Sequence, residues 1–394
     1  MAELAGTVSR GIRAVPGTGD ALRILVVNAG SSSLKLRVLG DGDEIVGTAD
    51  LPAPRGTADQ TAIETALASF GQIEAAGHRI VHGGTIYRAP VLIDAAVRQR
   101  LEALTDLAPL HQPKSLAALD AVQAALPGVP AVACFDTAFH ATIPDSAATF
   151  ALPSEWRQRW ALRRYGFHGL SHAWIARRAA ELAGPAPGDG HGRPRLVSCH
   201  LGAGASLAAI AGGRSVDTTM GFTPLDGLVM ATRSGAVDPG LVLWLEQHAQ
   251  TPPAELAATL EYRSGLYGLA GTADMRQILD RAASGDSQAL LARDVYLHRL
   301  RAGIAAMAAA MGGIDLLAFT GGVGENSAEI RERAMDGLGF LGIAGEPHRN
   351  TAGSGDRLIS PDGAAVQAFV ITAREDKQIA AEVRGIVHGT PAAT

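Results

Sequence analysis

The stretch "ILVVNAGSSSLKLRVL", residues 24–39, contains an apolar run that stops abruptly at an amide and a glycine. Residues 24–27 are all apolar, residues 28–30 read Asn-Ala-Gly, three serines follow, and residues 34–38 alternate between apolar and basic side chains. Alternation of this kind predicts two half-buried β-strands joined by a small polar turn. The amide, the hydroxyls and Lys35 are therefore expected at the end of a buried strand, which is an unusual place for so many polar groups.

The same pattern returns later in the chain. "RLVSCHLGAGASLAAIAGGRSV" (195–216) again reads strand, polar residue, glycine turn, serine and strand, with an offset of one residue. This similarity predicts an internal duplication. A third glycine turn follows a buried strand in "IDLLAFTGGVGENSAEIRERA" (314–334), where Asn326 and Glu329 have the spacing of a capping box and predict a helix start.

Strands and helices alternate through the first third of the chain, which predicts an α/β fold. "EIVGTADL" and "AAGHRIVHGG" read as strands, Asp94 is a candidate N-cap, "KSLAALDAVQAALPG" reads as a helix, and "VPAVACF" reads as a strand that leads into Asp136. With 394 residues the chain is long enough for two domains.

Composition excludes several classes of function. The net charge of −5 gives no reason to expect nucleic acid or a membrane surface as a partner. The longest apolar stretch, between Arg301 and Asp315, is shorter than a membrane span. Only two cysteines are present and residues 1–22 lack the apolar core of a signal peptide. A cytoplasmic protein with a frayed N-terminal extension is expected.

Three glycine turns at strand ends indicate a site for phosphate, because backbone N–H groups and serine hydroxyls can surround its oxygens. No Walker-type sequence is present. Residues 220–240 predict a long ordered loop around Arg233, and such loops are usually functional. A lone arginine, Arg79 or Arg233, is more often a surface ion pair. His78 with His82, and His168 with His172, have zinc-like spacing but lack the accompanying glutamate.

Eight motifs together resemble those of acetate kinases: "NAGSSSLK" (28–35), "GHRIVHGG" (77–84), "LAPLHQP" (107–113), "CFDTAFH" (134–140), "RRYGFHGLSH" (163–172), "HLGAGAS" (200–206), "DTTMGFTPLDGLVMATRSGAVDPG" (217–240) and "FTGGVGENS" (319–327). The resemblance implies two duplicated actin-like domains with a nucleotide cleft between them, formed by residues 23–139 plus 376–394 and by residues 140–375. It also implies ATP or ADP and acetate or acetyl phosphate as substrates, Mg²⁺ (or Mn²⁺) as cofactor, and a homodimer through the C-terminal domain.

The resemblance also implies roles for individual residues. The implied catalytic residues are Arg79, Asp136, His168 and Arg233, with Asp136 orienting an arginine or a metal-bound water because an ionised carboxylate substrate needs no base. The implied walls of the acyl pocket are Val81, Leu110, Phe167 and Pro224, and the implied metal ligands are Asn28 and Glu375. The implied nucleotide contacts are Ser31, Ser33, Lys35, His200, Leu201, Gly202, Ala203, Gly204, Asp274, Met275, Arg276, Gly322, Val323, Gly324, Glu325 and Asn326.

Two departures from the family pattern stand out. Ala203 replaces the usual asparagine, so we expect reduced activity with the amides of Gly202 and Gly204 still available. The segment "TAREDKQIA" leaves Asp376 as an alternative to Glu375 at the metal. A propionate kinase and a non-catalytic actin-like protein remain alternatives; the two arginines argue against the latter.

Overall fold

The computed structural model describes residues 22–30, 33–53, 58–109, 111–184 and 194–389. The predicted hairpin is confirmed: β1 (Ile24–Ala29) pairs with β2 (Ser33–Leu39) in antiparallel register, with Ala29 opposite Leu34. Leu34 and Leu36 on β2 are buried while Lys35 between them is exposed, because successive side chains of a strand point to opposite faces.

The first sheet has six strands in the order β3-β2-β1-β4-β6-β5. Strand β3 (Ile45–Pro52) is antiparallel to β2, whereas β4 (Ala75–Ile80) and β6 (Ala131–Phe135) run parallel to β1 and β5 (Val91–Leu92) closes the edge. Its helices are α1 (Gln60–Ser69), α2 (Ala95–Ala103) and α3 (Gln112–Ala125). The predicted N-cap of α2 is confirmed, since Asp94 accepts a hydrogen bond from the Val97 N–H at 2.7 Å.

The second sheet repeats this order as β9-β8-β7-β10-β12-β11. Its strands are β7 (Arg195–Leu201), β8 (Ala205–Ala211), β9 (Arg214–Thr218), β10 (Leu316–Thr320), β11 (Arg357–Leu358) and β12 (Gln367–Val370).

Local details repeat with the strand order. The amide of Gly30 donates to Ser33 O at 2.8 Å in the first hairpin, and the amide of Gly202 donates to Gly204 O at 3.0 Å in the second. The register also shifts at matching places, after Val38 and after Ala209. The predicted duplication is confirmed.

The remaining helices cover the second sheet, connect the halves and end the chain: α4 (Asp145–Ala148), α5 (Ser154–Trp160), α6 (Gly169–Ala183), α7 (Pro239–His248), α8 (Pro253–Tyr262), α9 (Gly265–Ala270), α10 (Met275–Ala283), α11 (Ser287–Ala310), α12 (Gly321–Asn326), α13 (Ala328–Asp336), α14 (Pro347–Thr351) and α15 (Glu375–Val387). Short 3₁₀ helices span Thr105–Leu107, Ala138–Thr142 and Gly339–Leu341.

One predicted helix start is wrong. Helix α12 begins directly at the end of β10, and Ser327, not Asn326, caps α13 by accepting from the Ile330 N–H. The Asn326 side chain instead donates to Gly322 O at 2.8 Å within α12, while Glu329 pairs with Arg333. The capping-box spacing was present, but a neighbouring hydroxyl occupies the cap.

The C-terminal helix α15 returns to the first sheet, where Ile379, Ala380 and Val383 pack among residues of β1, β4 and β6. Leu22, assigned by sequence to the frayed extension, packs beside them and donates its N–H to Asp41, and residues 1–21 lie outside the described part. Both cysteines, Cys134 and Cys199, are free and buried. Among the described residues, no helix combines the length and apolarity required to span a bilayer.

Candidate active site

The ends of the central strands in the first sheet hold a charged cluster. Asp136 follows β6, and its two carboxylate oxygens accept from Nε and Nη2 of Arg79 at 3.0 and 2.6 Å. Arg79 Nη1 also donates to Asn28 Oδ1 at 3.2 Å, and Asn28 Nδ2 donates to Glu375 Oε2 at 3.4 Å. Asn28 at the end of β1 therefore joins the Arg79–Asp136 pair to the first residue of α15.

Burial and charge act against each other in this cluster. Burial raises the pKa of Asp136, an effect that Arg79 opposes. Burial disfavours the charged guanidinium of Arg79, but Asp136 and Glu375 outweigh it and raise its pKa. Arg79 is therefore a permanent, fixed cation whose fork is aligned by a carboxylate.

His168 stands at the start of α6 in a left-handed backbone conformation, with φ of 56°. The next residue allows this approach, because a β-carbon at Gly169 would lie 2.2 Å from Asp136 O, to which the Gly169 N–H donates at 2.8 Å. The "YGFHG" motif thus fastens His168 beside Asp136. A non-glycine residue at positive φ is a form of stored strain that is found at functional sites.

The second hairpin turn and α12 come together at their glycines. A β-carbon at Gly202 would lie 3.8 Å from His200 Nε2 and 3.9 Å from Gly322 N. A β-carbon at Gly204 would lie 3.1 Å from His168 Nε2 and 3.6 Å from Nη1 of Arg233. The glycines therefore leave an open space bordered by backbone amides, two imidazoles and a guanidinium.

Arg233 belongs to the predicted long loop, which is confirmed: residues 219–238 contain no helix or strand. Its Nη1 donates to Pro224 O at 3.0 Å and its Nε lies 2.9 Å from Glu261 Oε1. Glu261, on α8, was missed by sequence reasoning. It lies 28 positions downstream in an ordinary amphipathic helix, so no sequence pattern connects it with Arg233.

The positive charges of Arg79 and Arg233 both lower the pKa of the same two histidines, His111 and His168. Burial, together with the charges of Arg233, Arg79 and Lys114, lowers the pKa of His111 to about 4. Burial also lowers the pKa of His168 well below its usual range, with contributions from His200, Arg79 and Arg233. The predicted pair of arginines from distant segments is thus brought to one site, where the histidines stay neutral.

Helix α12 is held by hydrogen bonds at both of its ends. Glu325 Oε1 accepts from the amides of Gly321 and Ala373, each at 3.0 Å. The fully buried Arg331 donates from Nη1 to Gly324 O and Glu325 O at 2.8 and 2.9 Å, and from Nε to Asn350. Sequence reasoning missed Arg331, because an arginine inside a polar helix is usually solvent-exposed.

The other residues predicted to contact the nucleotide have few contacts with the cluster described above. Lys35 is exposed and lies opposite Asn28 in the hairpin register, next to half-buried Ser33. Asp274 and Arg276 pair with each other at the start of α10, with Arg276 88% exposed, whereas the Met275 side chain is buried in the core. Met275 can therefore contact a ligand only through its backbone. Ser31 and Leu110 lie outside the described residues.

The predicted acyl-pocket walls are partly assembled. Val81 and Phe167 are buried in the same apolar cluster, and half-buried Pro224 is tied to Arg233 through its carbonyl. An apolar surface beside a guanidinium suits a small carboxylate, since the chain of the acid and its charge find separate partners.

Asn28 and Glu375 supply the amide and carboxylate groups whose oxygens Mg²⁺ prefers. In this structure the Asn28 oxygen accepts from Arg79 and its Nδ2 faces Glu375, so the amide must turn over for both oxygens to reach one cation. In the described ranges, no group of three or more His, Cys, Asp or Glu side chains is arranged to hold a metal alone. Asp376, the alternative, is occupied with Arg374 at 2.8 Å. Glu375, which lies beside Asn28, stays the predicted ligand.

Two α/β units of equal strand order, with polar glycine turns and a buried Arg–Asp pair, define the class of actin-like, duplicated α/β proteins. The chain belongs to the acetokinase family, whose model matches residues 56–381. It is 42% identical to the acetate kinase of Streptomyces coelicolor over 401 aligned residues, covering 93% of this chain and 98% of the relative.

Solved structures agree with this assignment. The crystal structure of Porphyromonas gingivalis acetate kinase superposes with a TM-score of 0.86 at 34% identity, covering 93% of this chain and 100% of the other. A propionate kinase from Francisella tularensis gives a TM-score of 0.84 at 33% identity, covering 92% and 99%.

Proposed function

We propose that this protein is an ATP-dependent acetate kinase that reversibly transfers the γ-phosphoryl group of ATP to acetate, giving acetyl phosphate and ADP. The observation that carries the proposal is the meeting of Arg233 and His168 at Gly204, next to the Arg79–Asp136 pair. A phosphoryl group needs fixed positive charge and hydrogen-bond donors around it, and this arrangement supplies both. Membership of the acetokinase family supports the same reaction.

The reaction forms a bond between an acetate oxygen and the γ-phosphorus and breaks the bond to the bridging oxygen of ADP. Acetate is ionised at neutral pH, so no proton has to be removed from it. Arg79 and Arg233 hold the carboxylate and the phosphoryl oxygens, and neutral His168 donates a hydrogen bond to the phosphoryl group. Asp136 aligns Arg79, while the amides of Gly204 and Gly322 bind nucleotide phosphates. The amide of Gly202, predicted for the same role, instead donates to Gly204 O within the turn.

Asn28 and Glu375 would hold Mg²⁺, or Mn²⁺, which when bound neutralises phosphate charge. Support for this pair is their proximity: Asn28 Nδ2 lies 3.4 Å from Glu375 Oε2, and a turn of the amide would present its oxygen in place of the nitrogen. These two side chains leave most of a cation's coordination shell to water and phosphate, as expected where a cation is bound together with a nucleotide.

The test is a hydroxamate assay for acyl phosphate with purified protein, ATP, Mg²⁺ and acetate, combined with coupled detection of ADP. Acetyl hydroxamate that appears in proportion to ADP is the expected result. Nucleotide binding with no acyl phosphate formed would instead identify a non-catalytic actin-like protein.

A propionate kinase is the second candidate, favoured by the similarity to the Francisella structure. One methylene group changes binding by only about 1–3 kcal/mol, so the two acids compete closely. The ratio of kcat/KM for acetate and propionate decides between them, and a value above one is expected for acetate.

We also propose domains of residues 23–139 plus 376–394 and of residues 140–375, a division supported by the two separate sheets and by α15 packing on the first. The partner proposed for the C-terminal domain is a second copy of the chain. Helix α7 supports this proposal. It has no buried residue, and its large apolar side chains Leu241, Leu243 and Trp244 are each about half exposed to solvent, as expected of a surface that pairs with another protein. A cytoplasmic location fits two free, buried cysteines.

A further inference from the structure

A continuous chain of buried hydrogen bonds runs from the second sheet to His168. Ser198 Oγ lies 2.9 Å from His172 Nδ1, His172 Nε2 lies 2.8 Å from Ser206 Oγ, and Ser206 Oγ lies 2.9 Å from His168 Nδ1. Ser198, His172 and Ser206 have no exposed surface, whereas His168 is half-buried with its Nε2 facing the Gly204 space.

Only one arrangement of hydrogens lets both hydroxyls donate within this hydrogen-bond chain. A hydroxyl has one hydrogen to donate, and a neutral imidazole has one N–H and one acceptor nitrogen. Burial lowers the pKa of both His168 and His172 well below the usual range, so both rings are neutral. Fixing the direction of the Ser198–His172 bond therefore fixes that of the His172–Ser206 bond, and the Ser206 hydroxyl hydrogen then decides the third.

The inner end of the chain decides the direction. Among the residues that the structure describes, the only hydrogen-bonding partner of Ser198 Oγ is His172 Nδ1. If that nitrogen carried a hydrogen, the buried Ser198 O–H would have no acceptor, which is unfavourable. Ser198 therefore donates to His172, and His172 Nε2–H donates to Ser206. The buried Ser206 O–H then has only His168 Nδ1 as an acceptor among the described residues, so it donates there.

We propose that Ser198, His172 and Ser206 are positioning residues that hold His168 as the tautomer with hydrogen on Nε2. This inference rests on the proposed function, in which that N–H donates to the transferred phosphoryl group. The His200 ring stacks on His168 with centroids 4.3 Å apart and an interplanar angle of 22°, so the ring plane is fixed as well. Neither the tautomer nor the plane then has to be adjusted when substrate binds.

The chain is tested by the ¹⁵N chemical shifts of histidine-labelled full-length protein near pH 7.5. The His168 signals are identified by their loss in His168→Gln. We expect wild-type His168 to carry hydrogen on Nε2 and to have an unprotonated Nδ1 that accepts the hydrogen bond from Ser206. Ser206→Ala removes the donor to Nδ1, so the other tautomer becomes populated and kcat falls at least about tenfold with the KM for ATP unchanged. Ser206→Thr, which keeps a hydroxyl, restores both values.

Ser198→Ala is the decisive second variant, because Ser198 does not touch His168. Without the Ser198 hydroxyl the chain can reverse, and we expect His168 to show both tautomers. Ser215→Ala is the matched control: Ser215 is equally buried and bonds His140 Nδ1 at 2.8 Å, but His140 Nε2 is bonded to Phe167 O and not to this chain. It should leave the His168 shifts unchanged.

Wild-type His168 with hydrogen on Nδ1, or unchanged His168 shifts in both Ser206→Ala and Ser198→Ala, would overturn the proposal. The spectra do not depend on turnover, so they distinguish failure of this chain from failure of the proposed function. If acetyl phosphate does not form but the His168 tautomer responds as described, the proposed function is wrong and the proposed hydrogen-bond chain is still supported.

Discussion

Two arginines carry the positive charge of the site, and each is held by a carboxylate. Asp136 binds Arg79 from the neighbouring strand end, and Glu261 binds Arg233 from a helix that the loop passes. The anchors fix where each guanidinium points while its remaining N–H groups stay available. Loss of an arginine should therefore remove transition-state stabilisation more than it disturbs the fold.

Arg233→Ala is expected to lower kcat by at least about a hundredfold, because one fixed donor to the phosphoryl group is lost. Steady-state kinetics measure the loss, and circular dichroism should remain that of the wild type. Arg263→Ala is the control, since Arg263 lies two residues after Glu261, the anchor of Arg233, but is more than half exposed and pairs only loosely with Glu255 at 3.6 Å. Near wild-type turnover in Arg233→Ala would remove this residue from the catalytic set.

Ala203→Asn is expected to keep or raise activity. Ala203 is exposed at the tip of the second hairpin turn, and its carbonyl accepts from the Ala231 N–H at 3.1 Å. A side-chain amide there adds a donor toward phosphate without burying it. The measurement is kcat/KM for ATP in the wild type and in Ala203→Asn. A clearly lower value in the variant would mean that the site accommodates only a small side chain at this position.

Some residues of the candidate site could be predicted from the sequence and others could not. Asp136 and His168 were predicted, because a polar residue at a strand end and a long motif mark them. The anchor Glu261 and the chain through Ser206 were not, since side-chain contacts between distant segments leave no periodic pattern in one sequence.

At the scale of elements, α12 is a short helix held by its surroundings. A helix of six residues gains little from its own hydrogen bonds. Arg331 satisfies its last carbonyls and connects them to Asn350 on α14. The sequence predicted a glycine turn here and misplaced the helix start, because local spacing does not reveal which of two adjacent polar side chains is free to cap.

Arg331→Met is expected to lower the free energy of unfolding by about 2–4 kcal/mol, since several buried carbonyl oxygens lose their donor. The KM for ATP should rise more than the KM for acetate, because the loosened element is the one proposed to face the nucleotide. Urea denaturation and steady-state kinetics measure the two effects. Arg333→Ala, which removes an exposed pair with Glu329, is the control and should change neither appreciably. Equal effects in both variants would contradict this role for Arg331.

At the scale of the molecule, the duplication was readable because each half begins with the same strand, turn and strand. The strand order beyond the hairpins was not readable, since parallel pairing depends on contacts between segments far apart in sequence. The exposed apolar face of α7 could not be predicted from the sequence either, because apolar residues with this spacing are equally compatible with a buried helix.

Trp244→Glu is expected to convert a dimer to a monomer, because it places a charge in the apolar surface proposed to pair. Size-exclusion chromatography with light scattering measures the mass. Trp156→Glu is the matched control, since Trp156 on α5 is 49% exposed against 53% for Trp244. If the wild type is monomeric, or both variants remain dimeric, α7 is not the interface.

Stability should fall as the pH decreases from about 7 to 5.5. Burial lowers the pKa of seven histidines, His78, His82, His111, His140, His168, His172 and His200. In this range the unfolded chain binds protons that the folded chain does not, so acid favours unfolding. Burial raises the pKa of Glu382 to about 7, which acts in the opposite direction but offsets only one histidine.

Urea unfolding at pH 7 and 5.5 tests this expectation. We expect the free energy of unfolding to be lower at pH 5.5 by on the order of 1 kcal/mol for each histidine that remains neutral. A flat profile would show that these rings take up protons in the folded protein.

One carboxylate joins two parts of the site that are distant in sequence. Glu325 Oε1 receives both the amide of Gly321, at the start of α12, and that of Ala373, two residues before Glu375. The element proposed to face the nucleotide and the residue proposed to face its cation are thus clamped to a single atom. A nucleotide that shifts α12 should therefore also move Glu375, and we expect the cation and the phosphates to bind together and not one after the other.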